Sequence, residues 1–257
     1  MDLDCPAAWG PVVVASRGSH DDRMAQEDGK RNARLHQRSW LKRASYDFSR
    51  VAVRTLGWLF FRLTFKGSEN FPTDGAALVC SNHQSYLDPI LAGAMCDRRL
   101  NYLARENLFH SKLFGGLIRF YDAIPVKRDG MSLAGLKETL RRLKRKEMVL
   151  IFPEGTRTPD GEIQTLKPGF CVLARKSKVP IVPMSISGAF DVWPKGAKLP
   201  RLARVCLTAG QPISVEQIAA MSDEKLMELI EQRIQECFRI GNEQNGNKTL
   251  ANAEATS

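Results

Sequence analysis

Residues 132–157 read SLAGLKETLRRLKRKEMVLIFPEGTR, and this stretch decides the fold class. Its leucines recur at helical spacing beside a basic outer face, which predicts a helix over Ser132–Lys146. A run of apolar residues then predicts a buried strand over Met148–Phe152, and this strand ends at Pro153 and a polar turn. A helix that leads directly into a fully apolar strand is typical of an α/β domain.

The alternation of helices and strands continues on both sides of this stretch. Upstream, the pattern predicts strands at Ala76–Ser81, Asn101–Arg105 and Ala123–Lys127, and helices at Pro89–Cys96 and Leu113–Phe120. Downstream, it predicts a helix at Phe170–Lys176, strands at Ile181–Ser185 and Arg204–Thr208, and a last helix that Ser222 caps and Gly241 ends. We therefore predict an α/β fold with a mostly parallel central sheet flanked by helices. Functional sites in such sheets form in the loops that leave the carboxyl ends of strands.

Composition divides the chain into four segments. Residues 1–44 are polar and carry several cations, which predicts a flexible basic arm. Residues 45–66 predict an N-terminal amphipathic membrane-binding helix, and residues 67–241 hold the α/β domain. The polar residues 242–257 predict a disordered tail.

The segment at residues 45–66 mixes aromatic and aliphatic side chains with arginines. Arg50, Arg54 and Arg62 recur at multiples of four and Lys66 extends the series, so on a helix these cations form one stripe. A basic stripe beside Trp and Phe is typical of a helix that lies in a bilayer interface, whereas the arginines disfavour a full crossing. A helix packed on its own domain would show a similar pattern. Residues 30–66 hold ten Lys or Arg against one acid, a local net charge of +9, which favours an anionic membrane surface.

The overall composition limits the classes of protein. A chain of 257 residues that is 43% hydrophobic fits one domain with tails and is too polar for a multi-span membrane protein. The net charge of +10 predicts an anionic partner, namely phospholipid headgroups, a phosphorylated substrate or nucleic acid. The six cysteines show neither a C-x-x-C pair nor zinc spacing, which favours reduced structural thiols in a cytoplasmic enzyme. No basic n-region of a secretory signal precedes the first apolar run.

The first candidate site follows the strand that ends at Ser81. Five positions separate His83 from Asp88, and Pro89 suits the first helical position, so Asp88 is predicted to cap a helix while a tight loop returns it to His83. Such an imidazole and carboxylate form a general-base pair, in which the carboxylate fixes the tautomer. The alternative is a simple helix cap beside a loop histidine.

Three further segments carry candidate binding residues. After the strand at Met148–Phe152, a turn delivers Glu154, Gly155, Thr156 and Arg157, where Gly155 permits close backbone approach and Arg157 offers a planar fork for phosphate oxygens. The strand at Ala123–Lys127 leads to two cations, of which Arg128 is the candidate to face a site. The segment at Val179–Pro183 reads as an apolar core strand. The turn at residues 154–157 could also be an ordinary surface turn.

These four segments together resemble the glycerophospholipid acyltransferase family, typified by bacterial lysophosphatidate acyltransferases. Asn82-His83 followed by Asp88 is similar to the family's N-H-x4-D motif, and residues 152–157 match its F-P-E-G-T-R motif. Residues 124–128 and 179–183 resemble its looser second and fourth blocks. The resemblance spans about residues 65–212. It departs from many members at Lys127, which stands where an acid or asparagine precedes the arginine, and this leaves the acceptor's identity open.

The resemblance implies roles for the matching residues. It implies that His83 is the catalytic base and that Asp88 orients it. It further implies that the acceptor and its phosphate are bound by Arg128 and the turn at 154–157, and that Pro183 lines an acyl-donor channel. No metal and no cofactor are expected, since acyl-CoA or acyl carrier protein would enter as a co-substrate.

The family resemblance predicts a transferase of phospholipid biosynthesis that makes phosphatidic acid. It implies transfer of a fatty acyl group to the sn-2 hydroxyl of 1-acyl-sn-glycerol 3-phosphate at the cytoplasmic face of the cell membrane, by a peripheral or monotopic enzyme. The alternatives are another lyso-lipid or glycerol 3-phosphate as acceptor, a hydrolase that uses the same pair on water, and a basic membrane-binding protein without activity. Nucleic acid is not expected as a partner because the sequence shows no nucleic-acid motif.

Overall fold

The elements of the fold follow the predicted alternation. The computed structural model describes residues 40–110, 115–116, 118–119, 121, 123–126 and 133–246. The helices are α1 Trp40–Phe61, α2 Asp88–Met95, α3 Leu133–Lys144, α4 Gly169–Ser177, α5 Ala189–Val192, α6 Val215–Ala220 and α7 Asp223–Asn245. The strands are β1 Thr64–Lys66, β2 Ala77–Ser81, β3 Leu100–Arg105, β4 Ile124–Val126, β5 Met148–Ile151, β6 Ile181–Ser187 and β7 Cys206–Ala209.

The strands of the described residues form one seven-stranded sheet in the order β1-β7-β6-β2-β5-β3-β4. The five strands from β6 to β4 are parallel, β7 is antiparallel to β6, and β1 pairs in parallel with β7. This confirms the predicted α/β fold with a mostly parallel sheet. Because β2, β5 and β6 run in the same direction, the loops that follow them leave the same edge of the sheet.

The sheet is buried on both faces. On the first face, the core holds Leu91 of α2 and Val192 of α5, and Val53 of α1 packs against it. On the second face, the core holds Phe170 of α4 and Ile230 of α7. Strands covered on both sides carry continuous apolar runs, which explains why the sequence alternates so clearly between apolar strands and amphipathic helices.

The predicted helical segment at residues 45–66 is only partly helical. α1 ends at Phe61, where Arg62 adopts a left-handed φ of 44° and reverses the chain. Thr64–Lys66 then forms the edge strand β1 beside β7. Arg62 and Lys66 therefore do not continue a cationic stripe along the helix, which corrects that part of the prediction.

Arg50 and Arg54 of α1 contact the domain around the end of α2. The Arg54 Nε donates to the carbonyl of Ala94 at 2.7 Å and its guanidinium pairs with Asp97 at 3.0 Å. Arg50 donates to the carbonyls of Cys96 and Asp97. These carbonyls follow or end α2, where the helix dipole favours positive charge. The exposed large side chains of α1 within residues 44–61 are apolar, namely Phe48, Val51, Leu56, Trp58, Leu59 and Phe60.

The last helix is longer than predicted. Ser222 caps α7 by accepting from the Lys225 N–H, as expected, but the helix continues past Gly241 to Asn245 and Gly246 ends it with a φ of 79°. Glycine at position 241 is explained by close packing, because a Cβ there would lie 2.4 Å from the Ser187 Oγ. The glycine lets α7 pack closely on β6 and does not mark a helix end.

Several predictions concern residues that the structure does not describe. Most of the predicted arm at 1–44, half of the predicted helix at Leu113–Phe120 and the tail from residue 247 lie outside the described residues. Among the residues that are described, no helix has the length and apolarity to cross a bilayer. The five described cysteines are buried and unbridged, as predicted.

Candidate active site

The candidate residues lie where the loops after β2, β5 and β6 meet. β2 pairs with β5 through Cys80 and Ile151, so His83 and Glu154 follow neighbouring strand ends. Asn82 ties the β2 end to β6, because its side chain donates to the carbonyl of Ile186 at 2.9 Å and accepts from the Ile186 N–H at 2.8 Å. The loop that carries His83 is thus fixed to the sheet on both sides.

His83 and Asp88 are in direct contact. The His83 Nδ1 lies 2.7 Å from the Asp88 Oδ2, and this buried oxygen also accepts from the N–H groups of Gln84 and Ser85 at 2.6 and 2.8 Å. Asp88 is the first residue of α2 and its side chain caps no helical N–H, which corrects the predicted cap. The carboxylate instead closes the loop onto itself, and this brings it back to His83.

The histidine is held in the orientation of a base. In the neutral imidazole, a carboxylate acceptor at Nδ1 places the proton on that nitrogen and leaves the lone pair on Nε2. Within the part of the chain that the structure describes, Nε2 has no hydrogen-bond partner. The ring stacks on Phe152 with centroids 4.0 Å apart, which fixes its plane. The arrangement can therefore take a proton from a hydroxyl placed at Nε2.

Glu154 lies beneath the histidine loop. Its Oε1 accepts from the His83 backbone N–H at 3.2 Å, while the buried Oε2 has no partner among the described residues. Burial in this loop raises the pKa of Glu154 to about 8, and the nearby Asp88 carboxylate adds to the effect. The carboxyl group is therefore mostly protonated at neutral pH, and its free oxygen can donate a hydrogen bond.

The remaining residues of the turn differ in exposure. Gly155 and Thr156 are exposed, and Gly155 has a φ of 72° that favours glycine. The Arg157 guanidinium carbon lies 3.4 Å from the Tyr86 ring centroid, and its buried Nη1 has no hydrogen-bond partner among the described residues. A planar cation with an unsatisfied donor beside the His83 loop is suited to bind a phosphate or another oxyanion.

Comparison with known proteins finds similar acyltransferases. The sequence model of the Acyltransferase family matches residues 62–187. The 1-acyl-sn-glycerol-3-phosphate acyltransferase of Bacillus subtilis is 29% identical over 201 residues, which cover 74% of this chain and 96% of the relative. The enzyme of the same name from Streptococcus pneumoniae is 29% identical over 201 residues, covering 77% and 73%.

A solved structure is similar as well. The crystal structure of the 1-acyl-sn-glycerophosphate acyltransferase from Thermotoga maritima superposes with a TM-score of 0.67 at 28% identity, over 79% of this chain and 83% of that one. Residues 62–187 form an Acyltransferase-family domain. The chain is an acyltransferase of lipid biosynthesis, and the strand-end loops described above hold its family motifs.

Nearby nucleophiles are not available in this acyltransferase. The Ser85 Oγ donates to the carbonyl of Trp193 at 2.8 Å, so it serves the structure of the loop. Cys80 is buried inside β2, and burial raises the pKa of its thiol well above the usual range. Among the described residues, no group of three His, Cys, Asp or Glu side chains could hold a metal ion. The imidazole and carboxylate are the groups placed for proton transfer.

The roles of two predicted site residues stay predictions. Pro183 is buried inside β6, in register with Cys80, and its ring would touch a Cβ placed at Gly210. Ile186, which binds Asn82 beside His83, lies three residues further along β6 than Pro183. The role of Pro183 in an acyl-donor channel stays a prediction. Arg128 lies outside the described residues, and its contact with the acceptor also stays a prediction.

The sequence did not single out the residues that brace the histidine loop of the acyltransferase. Gln84 donates to the carbonyl of Gly161 at 2.6 Å and accepts from the Phe190 N–H at 3.3 Å, which joins the loops after β2, β5 and β6. The Thr158 N–H donates to the His83 carbonyl at 2.8 Å. Asn82 and Gln84 flank His83, and two amide side chains at a strand end are a usable signal of such bracing.

Proposed function

We propose that this acyltransferase moves a fatty acyl group from acyl-CoA or acyl carrier protein to the sn-2 hydroxyl of 1-acyl-sn-glycerol 3-phosphate, which gives phosphatidic acid. The observation that carries the proposal is the 2.7 Å contact between His83 Nδ1 and Asp88 Oδ2, with Nε2 left open. The names of the bacterial relatives support this acceptor.

The proposed reaction is a direct transfer in which His83 is the general base. Nε2 takes the proton of the acceptor hydroxyl while its oxygen forms a bond to the thioester carbonyl carbon. The carbon–sulfur bond then breaks, and the thiolate leaves with the proton that the imidazolium returns. Asp88 stabilises the imidazolium, and general-base help of this kind contributes about 10²–10⁴-fold to the rate.

The acceptor's phosphate is assigned to the turn after β5. Arg157 offers the unpartnered Nη1, and the protonated Glu154 adds no negative charge near a phosphate. Gly155 and Thr156 leave the backbone of the turn exposed beside them. Arg128 would add a second cation from the loop after β4.

The proposed place of work is the cytoplasmic face of an anionic membrane, where the enzyme is peripheral or monotopic. The exposed face of α1 supports this, because its outward aromatic and aliphatic side chains suit a helix that lies in a bilayer interface. Arg50 and Arg54 do not form that contact, since both bind the end of α2. The apolar face itself is the proposed contact.

A panel of acceptors tests the proposal. The purified enzyme is given a labelled acyl thioester, on CoA or on acyl carrier protein, with 1-acyl-sn-glycerol 3-phosphate, glycerol 3-phosphate or other lyso-lipids, and the products are read by mass spectrometry. We expect diacyl phosphatidic acid as the dominant product. A different acylated acceptor would replace the proposed substrate, and release of free fatty acid without transfer would indicate a hydrolase.

A further inference from the structure

A second surface at the active-site edge combines exposed leucines with cations. The segment 194–204, PKGAKLPRLAR, connects α5 to β7 and is called the basic loop below. Leu199 and Leu202 are each 77% exposed. The same eleven positions carry Lys195, Lys198, Arg201 and Arg204 and no acidic residue.

The exposure of these leucines is built into the fold. The Arg201 N–H donates to the carbonyl of Val192 at 2.7 Å, and the Trp193 Nε1 donates to the carbonyl of Ala197 at 3.0 Å. Ala203 packs against the core of the first face. The backbone of the basic loop is therefore held on both sides of Leu199, and its leucines project from a fixed base.

The basic loop lies between the candidate active site and the end of α1. Its base at Trp193 contacts the Tyr86 ring, with centroids 5.8 Å apart, and Tyr86 lies against Arg157. Directly after the loop, the Val205 N–H donates to the carbonyl of Phe61, the last residue of α1, at 3.0 Å. The exposed apolar end of α1 and the basic loop thus adjoin at one edge of the sheet.

We propose that the basic loop is a second membrane-contact element, whose partner is an anionic bilayer. Leu199 and Leu202 enter the acyl-chain region, while Lys195, Lys198 and Arg201 contact headgroup phosphates. With α1 on one side, this places the bilayer surface at the edge that holds His83. The inference rests on the proposed function, since it explains how a lipid acceptor moves from the bilayer to the site.

The leucines distinguish a bilayer from a soluble phosphorylated ligand. The phosphates of an acyl donor would use the cations and leave both leucines in water. A bilayer satisfies both parts of the loop, because apolar side chains enter its hydrocarbon and cations bind its headgroups. Charge and apolar exposure together therefore favour the bilayer.

Vesicle sedimentation tests the contact with a matched control. Vesicles of phosphatidylglycerol and phosphatidylcholine are mixed with the full-length enzyme, with the double variant Leu199→Ser/Leu202→Ser, or with Leu133→Ser. Leu133 is also 77% exposed, but it lies on α3, which packs on the second face. We expect the double variant to lose roughly tenfold or more in vesicle affinity and the control to bind like the wild type. Equal binding by the double variant, or an equal loss in the control, would overturn the proposal.

An activity ratio separates this inference from the proposed function. Turnover is measured with a vesicle-borne acceptor and with a short-chain, monomeric lyso-lipid, and their ratio is expected to fall roughly tenfold in the double variant. A wild-type enzyme that acylates neither acceptor would defeat the proposed function while the vesicle-binding result stands.

Substitution of the lysines in the basic loop tests the proposal independently. For Lys195→Gln/Lys198→Gln, we expect weaker vesicle binding with a smaller dependence on salt. A higher KM for acyl-CoA with unchanged vesicle binding would assign the loop to the donor and overturn the proposal.

Discussion

Two loops at the same edge of the sheet are built in opposite ways. Most side chains of the loop at 82–88 are buried, and hydrogen bonds to β6, to the segment after β5 and to α5 hold it around His83. The basic loop at 194–204 is anchored at Ala197, Arg201 and Ala203 and leaves Leu199 and Leu202 exposed. The first arrangement suits the proposed general base, and the second suits the proposed contact with a bilayer. Chemistry and membrane contact are thus assigned to separate loops, and variants in each should affect different measurements.

Asp88→Asn should have the largest effect, and it falls on turnover. The amide can still accept from the Gln84 and Ser85 N–H groups, so the loop should keep its shape. The neutral side chain no longer stabilises an imidazolium, and we expect kcat to fall about 10²–10⁴-fold. Steady-state kinetics check this, with the unfolding midpoint as the control for folding. Wild-type turnover in this variant would remove the carboxylate from the mechanism.

Asn82→Ala should show how strongly the histidine loop is braced. The variant leaves the buried N–H and carbonyl of Ile186 without their side-chain partner, which costs about 1–3 kcal/mol of unfolding free energy. Urea denaturation measures the loss. A variant as stable as the wild type would mean that the loop does not depend on this bridge.

Glu154→Gln should change how stability depends on pH. The folded pKa of about 8 lies above the ordinary value of 4.5, so the folded state binds the extra proton and wild-type stability falls as pH rises between these values. The slope is at most about 1.4 kcal/mol per pH unit for one proton. Glutamine does not titrate, so the stability of the variant relative to the wild type should increase from pH 5 to 8. Parallel stability curves for the two proteins would show that Glu154 is ionised in the folded state.

Leu199→Ser should have the smallest effect on the isolated protein. The side chain is exposed, and substitutions at such positions usually change the unfolding free energy by less than about 0.5 kcal/mol. Denaturation in the absence of lipid checks this expectation. A large loss of stability would mean that the leucine packs on its own protein, and the contrast between the two loops would disappear.

The fold and the meeting of the main site residues followed from the sequence. Apolar runs separated by amphipathic helices predict a parallel sheet, and parallel strands bring the loops after β2 and β5 to one edge. This is why His83 and Glu154 could be expected close together. The apolar pattern also predicted the core strand that holds Pro183, whereas its role in an acyl-donor channel rests on the family resemblance and stays a prediction.

Other features depend on contacts that periodicity does not show. Helical spacing places Arg50 and Arg54 on one side of α1, but it does not tell whether that side meets water or the carbonyls that end α2. Glycine is common at helix ends, which is why the sequence predicted one at Gly241. In the structure, glycine is needed there because α7 packs closely on Ser187. The basic loop has no regular period, and its exposure became visible only in the structure.

The central claim is that His83 is the base that activates the acceptor hydroxyl. The direct test is single-turnover transfer of a labelled acyl group from its thioester carrier to 1-acyl-sn-glycerol 3-phosphate, with wild type and His83→Ala at equal vesicle occupancy. The account predicts that the rate of product formation falls at least about 10²-fold in the variant while vesicle binding is retained. Transfer at the wild-type rate without this imidazole would contradict it.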